Sequence, residues 1–550
     1  MTVAELLRHL DTLVEGPEPL LRMCAALYES ECFEAEIDQA LKHMARLLNT
    51  TVAAVRRDWT RYYKNMEASA RDAAQQRNGA RPPAALPLSD YTNALAFVRD
   101  HGAVVRYCYP WKSWLVWTGT HWQRDTSGAV MALAKVTIKR LARDIETLDD
   151  TRRIDALMAH IKSSLSTAKL KALIESAQSE PGIAVQPDAL DIDPWLLNCS
   201  NGTLNLHTGH LQTHNPQDLL TKCLSIAYDA TAPCPAWHGF LWRIMGGSQA
   251  EDTPDMGLGE LAIRQAADQR ATDLIAYLRR IAGYTLTGST HEQCLFLCHG
   301  PTKTGKSTYL AIMRALLGPY GKQADIQTFM HKDRPEVRND LADLVGARYV
   351  YAVESQEGRR LAENLVKQMT GGVDAIKARF LFEEYFEFKP QFKAYIGTNH
   401  LPVVKDSDDA IWERLRKIPF TVHIPKEERD KALEEKLIEE LPGILAWAVQ
   451  GCLDWQAKKD LKEPQSVVEA TLEYRASMDV LANFFEECCR FNEQFRIKTG
   501  DLYNAFLVWA EGSGMQPITL KDFGMRLDAK GIEKKTSNFV WRLGLALKDN

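Results

Sequence analysis

The stretch that decides the fold is Gly300-Pro-Thr-Lys-Thr-Gly-Lys-Ser-Thr308, which lies between the runs QCLFLCH (293–299) and YLAIMRALLG (309–318). The first run has the composition of a buried β-strand, and the second has the apolar spacing of a helix. The nine residues between them match G-x-x-x-x-G-K-[ST] in the strand–loop–helix context that this pattern requires. The two glycines allow a tight turn whose backbone N–H groups face phosphate oxygens. The sequence therefore predicts a phosphate-binding loop.

The residues of this loop predict ATP and Mg²⁺ as cofactors. Lys306 is expected to reach the β and γ phosphates, and the Ser307 hydroxyl is expected to ligate Mg²⁺. The N-terminus of the following helix adds a partial positive charge. The predicted nucleotide-binding residues are Gly300, Pro301, Thr302, Lys303, Thr304, Gly305, Lys306, Ser307 and Thr308.

Two later strands end in polar residues that suit the same site. ARYVYAVES (347–355) carries Glu354, and a carboxylate ending a neighbouring strand can hold Mg²⁺ through water and polarise the attacking water. The alternative is that Glu354 is an ordinary acid at a strand end. FKAYIGTN (392–399) ends in Asn399, whose amide both donates and accepts hydrogen bonds and can orient that water.

The next segment, DDAIWERLRKIPF (408–420), carries two candidate arginines. Arg414 or Arg416 of one subunit can reach the nucleotide of the next subunit and stabilise transition-state charge. The alternative is that both arginines pair on the surface with the neighbouring acids Asp408, Asp409 or Glu413.

The order of these blocks resembles that of the phage and plasmid primase–helicase family, which is related to the poxvirus uncoating-type NTPase and belongs to the superfamily III helicases. The blocks are GPTKTGKST, LADLVGARYVYAVES, VKQMTGGVDAIKARFLF, FEFKPQFKAYIGTNHLPVV and DDAIWERLRKIPF. The resemblance extends upstream, through WLVWTGTHWQRD and IAGYTLTG, and downstream, through ATLEYRASMD. It covers roughly residues 89–545.

The resemblance implies a multidomain α/β fold, in which an AAA+ P-loop motor with a parallel central sheet follows an α+β domain and precedes a winged-helix-like domain. It implies a homohexameric ring that hydrolyses ATP between subunits and moves along single-stranded or forked DNA, usually from 3′ to 5′. Lys306 and Ser307 match the Walker A motif, Glu354 the Walker B acid and Asn399 the sensor. Arg414 matches the arginine finger better than Arg416, although Glu413 stands where relatives often have the first of two arginines.

The same resemblance places a pore β-hairpin in GGVDAIKARFLFEEYFEF (371–388). Lys377 and Arg379 are the residues there expected to grip DNA phosphates. The expected tip is acidic, at Glu383 and Glu384, where a basic residue is more usual. The alternative is that both cations are solvated charges on a strand.

The predicted domains follow from composition and from the resemblance. They are an N-terminal helical segment (1–65), a linker (66–88), an α+β domain (89–234), a helical collar for oligomerisation (235–290), the motor (291–464) and a winged-helix-like domain (465–550). In the α+β domain, one hairpin is expected at 114–125, with Trp114, Trp117 and Trp122 in its core, and a second at 203–214, with helices at 129–180. The 88 residues before the resemblance are too few for a polymerase-type primase, so we expect no primase activity.

In the last domain, Thr519 is expected to cap a helix that is followed by a β-ribbon, as in a winged helix. The residues expected to make this domain basic on one side are Lys521, Arg526, Lys530, Lys534, Lys535 and Arg542. The helix would then lie in the major groove of DNA. The alternative is a protein–protein clamp with ordinary solvated lysines.

Two clusters have a metal-binding interpretation and a simpler one. Cys294, Cys298 and His299 are more simply explained if both cysteines lie on one face of a buried strand. Asp191 and Asp193 are more simply explained as part of a loop before Pro194.

The whole-chain composition fits a protein without membrane anchorage. Of 550 residues, 45% are hydrophobic and 25% are charged, no apolar run is long enough for a membrane helix, and no secretory signal is visible. Eleven cysteines without a C-x-x-C pair suit a reducing cytoplasm, expected to be that of a bacterial host. The formal net charge of −5 disfavours a protein that coats nucleic acid with its whole surface, but not a ring with a basic channel.

The sequence therefore predicts an ATP-dependent DNA helicase that replicates a phage, plasmid or other mobile element, with a primase or loader as an expected partner. Two alternatives stay open. One is an origin-binding scaffold that uses ATP only to assemble, and the other is a translocase on duplex DNA that does not separate the strands.

Overall fold

The computed structural model describes residues 3–13, 19–29, 34–48, 50–60, 62, 87–147, 150–248, 258–332, 338–354, 358–372, 374–379, 384–404, 409–513 and 518–548. The chain forms two compact units, one of residues 1–93 and 148–160 and the other of residues 94–147 and 161–550. Most of the predicted linker at 66–88 lies outside the described residues.

The first unit contains the predicted N-terminal helices. They are α1 (Val3–Thr12), α2 (Pro19–Glu29), α3 (Glu34–Leu47) and α4 (52–60). Apolar residues at helical spacing, such as Leu6 with Leu10 and Leu41 with Met44, are fully buried between these helices. The Thr51 hydroxyl accepts from the backbone N–H of Ala54 at 3.2 Å, which confirms that Thr51 caps α4.

The second unit begins with small antiparallel sheets and helices, as expected for an α+β domain. Its elements are α5 (Asp90–His101, whose first four residues belong to the first unit), β1 (Val105–Cys108), β2 (Ser113–Trp117), β3 (Trp122–Arg124), α6 (Ala129–Arg140), α7 (Thr151–Ser164, shared with the first unit), α8 (Thr167–Ala177), β4 (Leu196–Cys199), β5 (Gly202–Asn205) and β6 (His210–Gln212). Both predicted hairpins are present, as β2–β3 and β5–β6. The first differs from expectation, because Trp122 is buried whereas Trp114 and Trp117 are only half-buried.

The motor region alternates helices and strands. Its elements are α9 (Pro235–Ile244), α10 (Leu258–Leu286), β7 (Leu295–His299), α11 (Lys306–Leu317), β8 (Gly321–Gln323), α12 (Asn339–Ala342), β9 (Tyr349–Glu354), α13 (Glu363–Gly371), β10 (Ile376–Ala378), β11 (Phe386–Phe388), β12 (Lys393–Thr398), α14 (Asp409–Trp412), β13 (Leu415–Pro419), α15 (Leu433–Glu439) and α16 (Leu441–Lys458). Short 3₁₀ turns lie at Leu141–Thr147, Pro187–Ala189, Pro216–Asp218, Gly318–Tyr320, Ile326–Thr328 and Lys426–Glu428.

Five of these strands form a parallel sheet in the order β13-β7-β12-β9-β8. Alternate residues of β7 enter two different cores, with Leu295 and Leu297 on one face and Phe296 and Cys298 on the other. A sheet buried on both faces needs such continuous apolar strands. Cys294 and Cys298 share one core, which confirms that both thiols are buried, although Cys294 lies directly before β7 rather than in it. Burial raises the pKa of each thiol to about 12.

Two buried cations of the motor sheet donate hydrogen bonds to backbone carbonyl oxygens of the segments that precede it. The Arg348 guanidinium, 3% exposed, donates to the carbonyl oxygens of Leu286 and Leu196, both at 2.7 Å. Lys393, 1% exposed, donates to the carbonyl of Ser289 at 3.1 Å. Desolvation by the surrounding protein lowers the pKa of both side chains.

The helices α10 and α16 approach each other backbone to backbone. A Cβ added at Gly283 would lie 2.0 Å from the backbone nitrogen of Cys452, and one added at Gly451 would lie 1.9 Å from the carbonyl oxygen of Arg279. Only glycine allows this separation, because any side chain would meet backbone atoms of the opposite helix.

The last region has the predicted helix-then-wing order. Its elements are α17 (Gln465–Ser477), α18 (Val480–Cys488), β14 (Cys489–Lys498), α19 (Thr499–Gly512), α20 (Leu520–Ala529), β15 (Lys534–Thr536) and β16 (Val540–Leu547). The Thr519 side chain caps α20 by accepting from the N–H of Asp522. The sequence did not indicate β14, which pairs with β16 and completes a three-stranded sheet. The segment RFNEQFR (490–496) does not show the alternation of a strand, because neither face of the strand is continuously apolar.

Candidate nucleotide-binding site

The phosphate-binding loop starts where β7 ends and finishes where α11 begins. A Cβ at Gly300 would lie 1.9 Å from the carbonyl oxygen of Phe420, which follows β13. Gly305 has φ +83°, and a Cβ there would lie 2.5 Å from Cγ2 of Ile244. Gly300 is required because the backbone of Phe420 comes so close. Gly305 is required because of the close contact with Ile244 and because its backbone is left-handed. Backbone N–H groups of such a loop at a helix N-terminus bind phosphate groups.

Lys306 lies over the inside of the loop. Its ammonium donates to the carbonyl oxygens of Gly300 at 2.6 Å and Pro301 at 2.5 Å. The side chain is buried, and desolvation lowers its pKa. The Thr304 hydroxyl donates to the Pro301 carbonyl at 3.0 Å, which braces the same turn. The lysine is thus held at the loop centre, where the predicted phosphates would lie.

The hydroxyl predicted to ligate Mg²⁺ is accessible. Ser307 is the second residue of α11 and is exposed, whereas Thr308 is half-buried. An exposed hydroxyl in the first turn of this helix, next to a glycine cradle, suits a hard cation bound together with phosphate oxygens. The residues present therefore fit ATP with Mg²⁺.

Residues from three strands align at the carboxyl edge of the sheet. In the parallel pairing, His299 of β7 lies opposite Thr398 of β12, and Thr398 lies opposite Glu354 of β9. Neighbouring strands are about 4.8 Å apart, so this row spans about 10 Å. Glu354 is 4% exposed, and Asn399, next after Thr398, is half-buried. The loop, the acid and the amide therefore share one edge.

This row corrects one expectation about strand order. Glu354 was expected on a strand neighbouring the loop strand, but β12 lies between β7 and β9. Chain order did not predict this order, because a crossover can return a later strand to the middle of a parallel sheet. As a result Asn399, rather than Glu354, is on the strand directly beside the phosphate-binding loop.

His299 is a polar residue at this edge that sequence reasoning treated only as part of a cysteine cluster. Burial lowers its pKa to about 4, and the charges of Lys417 and Lys306 act in the same direction. The imidazole is therefore neutral at physiological pH, directly before Gly300. Its position as the last strand residue before the glycine was the signal available in the sequence.

The two candidate arginines lie on β13 or next to it, away from the loop of their own chain. Leu415 pairs with Leu295, the first residue of β7, so Arg414 lies at the opposite edge of the sheet from Gly300. The Arg414 guanidinium donates to the carbonyl of Ala410 at 2.5 Å and to Oε1 of Gln293 at 3.2 Å. Arg416 instead forms an ion pair with Glu463.

Among the described residues, neither arginine forms an ion pair with Asp409 or Glu413, two of the acids considered in the alternative interpretation. Asp409 pairs with Arg475, and Asp408 lies outside the described residues. The guanidinium of Arg416 pairs with a carboxylate on a later segment, whereas the acceptors of the Arg414 guanidinium among the described residues are neutral. This difference favours Arg414 over Arg416 for recognising a phosphate from another subunit.

Lys377 and Arg379 lie on a β-hairpin formed by β10 and β11. Lys377 is directly opposite Glu387. Its ammonium lies 5.4 Å from the ring centroid of Tyr385, and the Arg379 guanidinium lies 4.9 Å from the same ring. Tyr385 is 54% exposed. Two cations and an exposed aromatic ring thus share one surface, while Glu383 of the expected acidic tip lies outside the described residues.

The two aspartates considered as metal ligands accept hydrogen bonds from backbone N–H groups instead. Asp191 accepts from the N–H of Thr221 at 2.8 Å and pairs with Lys222 at 2.9 Å. Asp193 accepts from the N–H of Trp195 at 2.8 Å. These contacts agree with the simpler interpretation of a loop.

The helix and wing are less basic than the sequence indicated. Lys530 pairs with Asp479, and both Lys534 and Arg542 pair with Asp528. Arg542 is moreover only 3% exposed. Three of the six residues expected to form a basic side are therefore paired, because folding brings Asp479, the N-cap of α18, and Asp528 of α20 next to them.

Among the described helices, none is both long enough and apolar enough to cross a membrane.

Three protein families match successive parts of the chain. The family described as D5 N terminal like matches residues 94–246, a family of unknown function (DUF5906) matches residues 298–416, and the family described as poxvirus D5 protein-like matches residues 476–542. The middle match contains the loop, Glu354, Asn399 and both arginines.

Curated relatives are viral proteins named as putative helicases. One from Acanthamoeba polyphaga mimivirus is 26% identical over 58% of this chain and 33% of its own length. One from Frog virus 3 is 22% identical over 66% of this chain and 44% of its own length. The chain thus spans less than half of the length of these relatives.

A solved structure, the apo form of the NrS-1 C-terminal region, covers 82% of this chain and 99% of its own length at 10% identity, with a TM-score of 0.41. Successive parts of the chain are therefore similar to the D5 N terminal like and poxvirus D5 protein-like families, and its curated relatives are viral proteins named as putative helicases.

Proposed function

We propose that the chain is an ATP-hydrolysing DNA helicase that acts in the replication of a phage, plasmid or other mobile element. The observation that carries this proposal is the single sheet edge that holds the phosphate-binding loop, Glu354 and Asn399. A scaffold that uses ATP only for assembly needs the loop, but it does not need a buried acid and an amide beside it. The names of the viral relatives support the same function.

In the proposed reaction, Lys306 and the backbone N–H groups of the loop hold the β and γ phosphates. Ser307 and Glu354 would hold Mg²⁺, which would neutralise phosphate charge. The Glu354 carboxylate accepts the proton of the attacking water, and Asn399 orients that water. Because Glu354 is buried, its negative charge acts in a medium of low dielectric, which strengthens its effect.

The proposed assembly is a homohexameric ring with nucleotide between subunits. Arg414 supports this, because it lies at the sheet edge opposite to its own loop and can therefore act only on a neighbouring subunit's nucleotide. The ring would translocate on single-stranded DNA, with a 3′ to 5′ direction proposed from the family resemblance. Lys377, Arg379 and Tyr385 would contact the strand in the channel, since cations bind phosphates and an exposed ring stacks on bases.

The test is strand displacement on forked, 3′-tailed and 5′-tailed DNA with ATP and Mg²⁺. The wild type should unwind forked and 3′-tailed substrates, and Lys306→Ala should abolish this unwinding. Lys322→Ala is a matched control, because Lys322 pairs with Asp343 on the surface away from the loop. DNA-stimulated ATPase without unwinding would favour a duplex translocase, and the absence of any ATPase activity would favour the assembly scaffold.

A further inference from the structure

The outer face of the C-terminal sheet carries cations and aromatic rings. We call the residues Arg496, Lys498, Lys535, Phe539 and Trp541 the basic–aromatic face. Lys498 of β14 and Lys535 of β15 both lie directly opposite Trp541 of the central strand β16. Directly opposed residues point to the same side of a sheet, so the two lysines flank the tryptophan on one surface.

The contacts within this face are close. The Lys498 ammonium lies 4.2 Å from the ring centroid of Phe539 and 5.9 Å from that of Trp541. The Arg496 guanidinium lies 5.0 Å from the Trp541 ring. Phe539 is 55% exposed, and Arg496 and Lys535 are also exposed. A solvent-exposed aromatic ring between cations offers a surface on which a base can stack, next to positive charge.

The cations of this face differ in their partners from the cations on the other side of the sheet. In the parts of the chain that the structure describes, no carboxylate forms an ion pair with Arg496, Lys498 or Lys535. The opposite side of the same sheet differs, because Arg542 and Lys534 there both pair with Asp528. The cations Arg542 and Lys534 thus share a carboxylate partner, whereas the positive charge of Arg496, Lys498 and Lys535 is concentrated on the basic–aromatic face.

We propose that the basic–aromatic face binds single-stranded nucleic acid, with Phe539 and Trp541 stacking on bases and Arg496, Lys498 and Lys535 contacting phosphates. Aromatic platforms between cations are the usual way to bind single strands without sequence preference. Duplex DNA offers no unstacked base to an exposed ring. This site is separate from the motor, so the chain would contact the single strand at a second place. Binding there does not depend on ATP hydrolysis.

The test measures the binding of fluorescein-labelled oligo(dT) to the full chain by anisotropy, without nucleotide, over a series of salt concentrations. The parent protein carries Lys377→Ala and Arg379→Ala, so that the proposed channel contributes little. Added Arg496→Ala and Lys498→Ala should weaken binding about tenfold and reduce the slope of log K against log salt by about 1.4, since each phosphate contact with a single strand contributes about 0.7. Lys521→Ala on α20 is the matched control and should bind like the parent.

Stacking is tested separately with Phe539→Ala, at an exposed position where folding should be unaffected. The parent should bind oligo(dT) more tightly than an abasic strand of the same length, and Phe539→Ala should reduce this difference several-fold. The proposal is overturned if the parent does not bind oligo(dT), or if these changes leave its binding unaltered, which would indicate a protein contact. It is also overturned if Lys521→Ala weakens the binding of duplex DNA but not of oligo(dT). That result would indicate that α20 lies in the major groove of a duplex. Since no readout uses ATP, these outcomes are independent of whether the chain unwinds DNA.

Discussion

Glu354 and Thr398 lie directly opposite each other at the ends of β9 and β12, so that the buried carboxylate and the residue before Asn399 occupy one row of the sheet. This pairing sets the distance between acid and amide through the backbone hydrogen bonds of two strands. The arrangement suits a water molecule held between a base and an orienting amide.

If Glu354 is the general base, Glu354→Gln should retain ATP binding and reduce ATP turnover at least about 100-fold, since such bases typically contribute 10²–10⁴-fold. The amide has the same shape but cannot take up the proton. Binding of a fluorescent ATP analogue and steady-state ATPase measure the two effects. Glu439→Gln, on the exposed side of α15, is the control and should leave both unchanged. Turnover that survives Glu354→Gln would show that another residue is the base.

The position of Arg414 predicts complementation between inactive subunits. Lys306→Ala and Arg414→Ala should each be inactive, but a 1:1 mixture of them should recover about a quarter of the wild-type ATPase. In a ring of head-to-tail interfaces, about half of the interfaces have an intact loop, and about half of those have an intact arginine from the neighbouring subunit. About a quarter of the interfaces therefore combine both. The same mixture with Arg416→Ala distinguishes the candidates. Recovery in neither mixture would argue against a shared site.

The contact between α10 and α16 predicts that Gly451→Ala destabilises the protein by about 1–3 kcal/mol, the usual cost of overpacking a tight interior. Its Cβ would lie 1.9 Å from a backbone oxygen. Thermal unfolding followed by circular dichroism measures the change. Gly239→Ala, in α9 with no atom within 4 Å of the added Cβ, should be neutral or stabilising by up to about 1 kcal/mol. Equal effects of the two substitutions would contradict the close approach.

The pKa of His299, lowered by burial to about 4, predicts a pH-dependent stability. The unfolded imidazole takes up a proton near pH 6.5, whereas the folded one resists protonation until about pH 4. Stability from this residue is therefore complete above pH 6.5 and is lost as the pH falls towards 4, by up to about 3 kcal/mol. Urea unfolding of wild type and His299→Gln at several pH values measures this loss.

The His299→Gln variant should lose less stability than the wild type over that range, because glutamine does not titrate. The exposed His238→Gln is the control and should follow the wild type. A wild-type stability that stays constant between pH 6.5 and 4 would contradict a half-buried imidazole that is neutral in the folded protein.

The sequence by itself determined the local features. The glycine, lysine and serine spacing of the loop indicated its fold, because only one strand–loop–helix geometry places those backbone N–H groups around phosphates. Helical periodicity indicated the N-terminal helices, and the cap at Thr519 indicated where α20 begins. These features depend on interactions between residues a few positions apart, which the order of residues specifies directly.

The tertiary structure decided what depends on distant residues. Strand order put β12 between β7 and β9, although β9 comes earlier in the chain. Folding paired Arg416 with Glu463 and Arg542 with Asp528, and left the cations of the basic–aromatic face without carboxylate partners among the described residues. Which charges are neutralised depends on which segments pack together, and the formal charge of a sequence segment does not contain that information.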